Sequence, residues 1–173
     1  RQIGIRDTNN GTPLQKRVAL VGEYHRGNCT CYSSGGTDDP VQYSCQANYT
    51  ILSTDGFWNS LSGGNSVAVG NTDLTVPTVP ISNLDPVPST GLTTGVNWPR
   101  PYYEGPTASS NSVADVAAHY WITDLRPSMT NNVPVNSADK ASWQHMTTFT
   151  IGLGADGKKD YVEDYLTATS GFY

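Results

Sequence analysis

Two short β-rich runs, each preceded by a run of helical period, constrain this chain more than any other feature. Leu14, Val18, Val21 and His25 fall at i, i+4, i+7 and i+11, with Ala19 and Leu20 widening the stripe. That spacing marks one face of a helix. Thr12 is a suitable N-cap, Pro13 suits the first helical position, and Gly27-Asn28 stops the run. Tyr49-Thr50-Ile51-Leu52-Ser53-Thr54, bounded by Asp55-Gly56, reads as a strand. Ser112 and Asp115 form a capping box, with Asp in place of the usual Glu. Val113, Val116, Ala117 and Tyr120 then share a face, with Trp121 beside it, and the helix ends before Arg126-Pro127. Thr147, Phe149, Ile151 and Leu153 alternate with smaller residues in a second strand that closes at Gly154. Asp160 to Leu166 reads as the start of a further helix.

Helix, strand, helix, strand, helix is the order of right-handed crossovers in a parallel sheet. The expected fold class is α/β, an incomplete Rossmann-like parallel sheet with flanking helices. Two strands are too few for a stable doubly wound domain, so the remaining strands are expected outside this sequence or within its long insertion. That insertion, residues 60–111, holds most of the prolines and many Gly, Ser, Thr and Asn residues, without helical period. Compact domains rarely contain loops longer than about 15 residues without structure of their own. It is therefore expected to be a large surface loop or a small β-subdomain, with Val67-Ala68-Val69 and Leu74-Thr75-Val76 as short strands.

Composition narrows the function classes. Only 14% of the 173 residues are charged and the net charge is −5. A nucleic-acid binder is normally basic, and no Lys/Arg run occurs here. No apolar run approaches 18 residues, so no membrane span is expected. Ten Tyr, four Trp and three Phe supply a core despite the low charge. The first residue is Arg1 and the last are Gly171-Phe172-Tyr173, and both ends read as cuts through a larger protein.

Cys29, Cys31 and Cys45 are the three cysteines. Zinc would need His25 as fourth ligand, and C-x-C is not the usual spacing of a structural site. A disulfide across the Gly/Ser loop is the better reading. Cysteines one residue apart pair poorly, so Cys45 is expected to take Cys31 or Cys29. The third is left free or pairs elsewhere. Disulfide use implies a location outside the cytoplasm.

In open α/β sheets, ligands sit beyond the carboxyl ends of the strands. Asp55 follows the first strand, and Thr12 opens the helix before it. Gly11-Thr12-Pro13-Leu14 and Thr54-Asp55-Gly56 resemble the second and third motifs of the metal-ion-dependent adhesion site of von Willebrand factor A domains. The first motif, Asp-x-Ser-x-Ser, is absent from the sequence. Hard divalent cations take oxygen ligands, so the resemblance implies Mg²⁺, Mn²⁺ or Ca²⁺ at a partial site containing Thr12 and Asp55.

Longer strings carry a more specific resemblance. They are Ser44 to Asn59 (SCQANYTILSTDGFWN), Ser112 to Pro127 (SVADVAAHYWITDLRP) with Asn131-Asn132-Val133-Pro134, and Trp143 to Gly154 (WQHMTTFTIGLG). They are similar to the N-terminal region of type IV pilus tip-associated adhesins, the pilus-biogenesis proteins of the PilY/PilC type. The likeness covers residues 11–26, 44–59 and about 98–157; the insertion from 60 to 97 and the cysteine loop carry no such resemblance. It implies that residues 1–173 are part of one von Willebrand A-like domain in an exported protein at the pilus tip, outer-membrane surface or cell exterior. The implied work is adhesion, pilus assembly and surface sensing. The implied partners are minor pilins, other pilus-tip proteins, or a host or abiotic surface.

Plainer readings stand beside these. Thr12 can be only a cap and Asp55 only a turn former. Asp115 reads as a carboxylate favoured by the helix dipole. His25 and His119 read as packed or solvent-facing residues. Trp58, Trp121 and Trp143 read as core. Trp98, Tyr102 and Tyr103 form the best exposed aromatic cluster for ligand contact, and could equally pack the insertion down. His145 with Ser53 or Ser142 could form a hydrolytic pair, but no Gly-x-Ser-x-Gly elbow supports it. The chain is expected to bind rather than catalyse. A scaffold role in the pilus-tip complex, with a vestigial metal site, is the alternative.

Overall fold

The computed structural model describes residues 13–28, 39–55, 68–73, 75, 109–136, 139 and 141–154. Within them the order is α1 (Leu14–Arg26), β1 (Asn48–Thr54), α2 (Val113–Ile122) and β2 (Met146–Gly152). The strands pair in parallel, from Asn48 opposite Met146 to Thr54 opposite Gly152. The β1–α2–β2 order and the parallel pairing match the expected incomplete Rossmann-like arrangement.

Helix α1 begins one residue later than expected. Pro13 is its cap, without a side-chain hydrogen bond, and the Arg17 amide donates to the Pro13 carbonyl at 3.1 Å. Proline fixes φ and lacks an N–H, so it sits comfortably at this edge. Gly27 ends the helix at φ 85°. In α2 the capping box is complete: the Asp115 amide donates to Ser112 Oγ, and the Ser112 amide donates to Asp115 Oδ2, both at 2.9 Å.

The core joins Val18 and Ala19 of α1, Val116 and Tyr120 of α2, Met146 of β2, and Leu125, with Val21, Leu52, Val69 and Val113 packed around them. The buried face of α1 includes a position that the apolar spacing did not mark. Gly22 lies where α1 meets α2, and a Cβ there would stand 2.4 Å from the Tyr120 ring. Close helix approach, rather than hydrophobicity, fixes that residue. Tyr120 is fully buried, and its hydroxyl donates to Glu23 Oε1 at 2.9 Å.

Residues 68–70 form no strand. Gly70 (φ 76°) instead exchanges bonds with Asn111 (φ 61°). The Gly70 amide donates to Asn111 Oδ1, and the Asn111 amide donates to the Gly70 carbonyl, each at 2.9 Å. Val67, Leu74, Val76 and the helix expected over Asp160 to Leu166 lie outside the described residues.

Candidate functional site

Asp55 stands immediately after β1, exposed at the carboxyl end of the sheet. There the Leu153 amide donates to the Thr54 carbonyl at 2.8 Å, extending the strand pairing by one bond. Thr12 lies outside the described residues, as do Cys29, Cys31, Trp98, Tyr102 and Tyr103. Among the described residues, no group of three or more His, Cys, Asp or Glu side chains is arranged to hold a metal ion. Asp55 is thus one carboxylate at the position where an α/β sheet binds ligands. Cys45 is an exposed free thiol, and its expected partners Cys29 and Cys31 lie outside the described residues. Cys45 sits in a turn braced from both sides: the Gln46 Nε2 donates to the Pro40 carbonyl at 2.7 Å, and the Gln144 Nε2 donates to the Ser44 carbonyl at 2.5 Å.

Asp115 is fully buried and does more than cap its helix. Its Oδ1 accepts from both the amide and the hydroxyl of Thr72, each at 2.8 Å. The helix-terminus role read from sequence is present; the bond to residue 72 has no local spacing to announce it.

Two clusters that the sequence reading missed lie away from Asp55. In the first, Arg126 donates from Nε to the His25 carbonyl at 2.7 Å and from both terminal nitrogens to the Asp39 carboxylate. A bidentate fork on a carboxylate combines charge with fixed geometry. It ties the last turn of α1 to Asp39. Arg26 packs over the Tyr120 ring, 5.6 Å from its centroid, and pairs with Glu23 at 3.3 Å. Burial, with the nearby Arg126 charge, pushes the His25 imidazole down to about 4. Burial and then the Arg26 charge lower His119, against a smaller opposing pull from Glu23. Burial, followed by the hydrogen bond and charge of Glu23, pushes the Tyr120 phenol up.

The second cluster surrounds His145, which is 3% exposed. Its Nδ1 meets the Trp143 carbonyl at 2.7 Å and its Nε2 meets Asp139 Oδ2 at 3.0 Å. Both ring nitrogens are engaged in these contacts. Burial pushes the Asp139 carboxyl up, but hydrogen bonds from His145, the Ala141 amide and Trp121, with the His145 charge, hold it below its ordinary value. The Trp121 ring meets the Trp143 and His145 rings edge to face, the Trp143 and His145 rings are tilted against each other, and the Trp143 indole donates to the Trp121 carbonyl at 3.0 Å. The arrangement fastens a loop to α2 and β2.

The sheet itself offers the most unusual surface. Tyr49, Ile51, Phe149, Ile151 and Leu153 are all about half exposed or more. The strand alternation and register put them on the face opposite the helices, and the Tyr49 and Phe149 rings stand 6.0 Å apart.

Three relatives extend the picture. The type IV pilus biogenesis factor PilY1 of Pseudomonas aeruginosa strain UCBPP-PA14 is 37% identical over 161 residues, covering 84% of this chain and 12% of that protein. Its counterpart in strain PAK is 35% identical over 165 residues, covering 83% of this chain and 12% of that protein, and that of strain PAO1 is 34% identical over 167 residues, covering 84% and 13%. This chain is a PilY1-type sequence. It spans about an eighth of the length of the PilY1 proteins it matches. No family model and no solved structure matches it. Among the described residues, no helix is long and apolar enough to cross a membrane.

Proposed function

We propose that this PilY1-type chain works in type IV pilus biogenesis as part of a von Willebrand A-like region, in an exported protein at the pilus tip or cell surface. It binds rather than catalyses, and its binding serves adhesion and surface sensing. The observation that carries this reading is Asp55, exposed at the carboxyl end of a parallel β1–α2–β2 unit. Asp55 and Thr12 each contribute an oxygen to a divalent cation, Mg²⁺, Mn²⁺ or Ca²⁺, and an acidic group of the surface ligand completes its shell. The aromatic cluster of Trp98, Tyr102 and Tyr103 adds ligand contact. The test is calorimetric titration of each cation into the full-length pilus protein and its Asp55→Ala variant. Saturable binding lost in the variant is expected; equal binding by both defeats the metal reading.

A second reading is favoured by the sheet's open apolar face. Exposed apolar surface of this kind suits packing against protein. In this reading the region is a scaffold among minor pilins or other tip proteins, and the metal site is vestigial. Phe149→Asp and Asp55→Ala in the full-length protein separate the two. Lost piliation with Phe149→Asp alone favours the scaffold. Lost adhesion with Asp55→Ala, pili intact, favours the cation site.

A further inference from the structure

The roots of the long insertion meet. Gly70 and Asn111 exchange two hydrogen bonds, and Thr72 places its amide and hydroxyl on the buried Asp115 carboxylate. Asp115 also holds the Ser112 amide. One carboxylate therefore fastens the outgoing root, the returning root and the start of α2. Val69, on the outgoing root, packs against the core.

We propose that Asp115 is a root lock, and that the core folds independently of the sequence between residues 76 and 108. Closing a loop costs entropy that rises only logarithmically with its length. With the two roots already joined, the core is indifferent to the length and composition of what they carry. Such a mount lets the intervening sequence change without disturbing the β1–α2–β2 unit. An ordinary capping box would not do this: the Ser112–Asp115 exchange is local to α2, whereas the Thr72 bonds cross 43 positions of sequence.

The test is hydrogen exchange and thermal melting on the full chain and four variants. Ser112→Ala removes one half of the capping box and should leave exchange at the Thr72 amide nearly unchanged. Asp115→Ala removes the lock as well and should speed that exchange about tenfold or more, since bonds to charged acceptors are among the stronger ones. Replacing residues 76–108 with a short Gly/Ser linker should preserve a cooperative melt and the protection of Thr72 and Asn111. Unchanged Thr72 exchange in Asp115→Ala overturns the lock. Loss of cooperative unfolding in the linker variant overturns the independence of the core. Should Asp115→Ala not fold, Thr72→Val reads the same contact: faster exchange at Gly70 and Asn111 is expected, and unchanged rates overturn the lock.

Discussion

Beneath its two helices the β1–β2 sheet presents Asn48, Thr50, Leu52 and Thr54 from one strand and Met146 and Thr148 from the other, three of them threonines. Its opposite face presents Tyr49, Ile51, Phe149, Ile151 and Leu153. The covered face is the more polar one. Only Leu52 and Met146 join the core, and the hydroxyls of Thr50 and Thr148 are buried without a hydrogen-bond partner. Parallel sheets are ordinarily covered on both faces. The difference teaches that, among the described residues, the apolar core is built chiefly where α1 and α2 pack together. The sheet's largest apolar side chains contribute little until something covers them.

The comparison is most sharply tested at its strong end. Tyr120→Ala removes a fully buried ring and the partner of Glu23, and should cost roughly 3–5 kcal/mol in chemical denaturation. A loss below about 1 kcal/mol would mean that the helix interface is not the centre of stability. Gly22→Ala drives a methyl into the same ring from α1, with an expected loss of about 1–3 kcal/mol. Ser112→Ala should cost about 1 kcal/mol, the usual value of a side-chain cap.

Acidification bears on the polar clusters around the core. His25 is lowered in the folded chain to about 4. Its contribution is complete above the ordinary histidine value of about 6.5 and is lost as pH falls from there to about 4. Asp139 is also lowered, so its contribution holds above the ordinary carboxylate range and disappears as pH drops through its folded value. In both windows the unfolded chain binds more protons, so both act in one direction. Thermal melts should show a midpoint that declines from pH 7 to 4 and continues to fall below, and His25→Gln should flatten the upper part. A midpoint independent of pH over that range would contradict the burial of His25.

The weak end is the open face. Ile51→Thr and Phe149→Thr should each change stability by less than about 0.5 kcal/mol in this chain, as exposed substitutions usually do. A loss of 2 kcal/mol or more, on the scale of a buried apolar side chain, would show that the face is covered in solution.

Helix and strand periods, the Ser112–Asp115 box, the Gly27 stop and the α/β order were all legible in the sequence, because each depends on residues a few positions apart. Asp55 was legible as a strand-end carboxylate for the same reason. Gly22 was not, since only the approach of Tyr120 gives a missing side chain a purpose. Nor were the Arg126–Asp39 fork and the Asp139–His145 pair. The Arg126 fork spans 87 positions, and the Asp139–His145 pair spans six, a separation that belongs to no helix or strand repeat. Pro13 as the cap shows the limit even locally, because Thr-Pro satisfies the start of a helix in two adjacent frames.

The sequence alone determined the two helices and two strands of the described residues and their parallel run, while the strand expected over residues 67–69 is not formed at 68–70. Those choices follow from backbone preference and side-chain period, which are short-range. Only the tertiary structure decided which face of the sheet the helices cover, that Asp115 holds the insertion's roots, and that Arg126 closes the end of α1. The first depends on apolar side chains from separate elements meeting in one core, and the other two on buried polar atoms whose partners are supplied by distant parts of the chain.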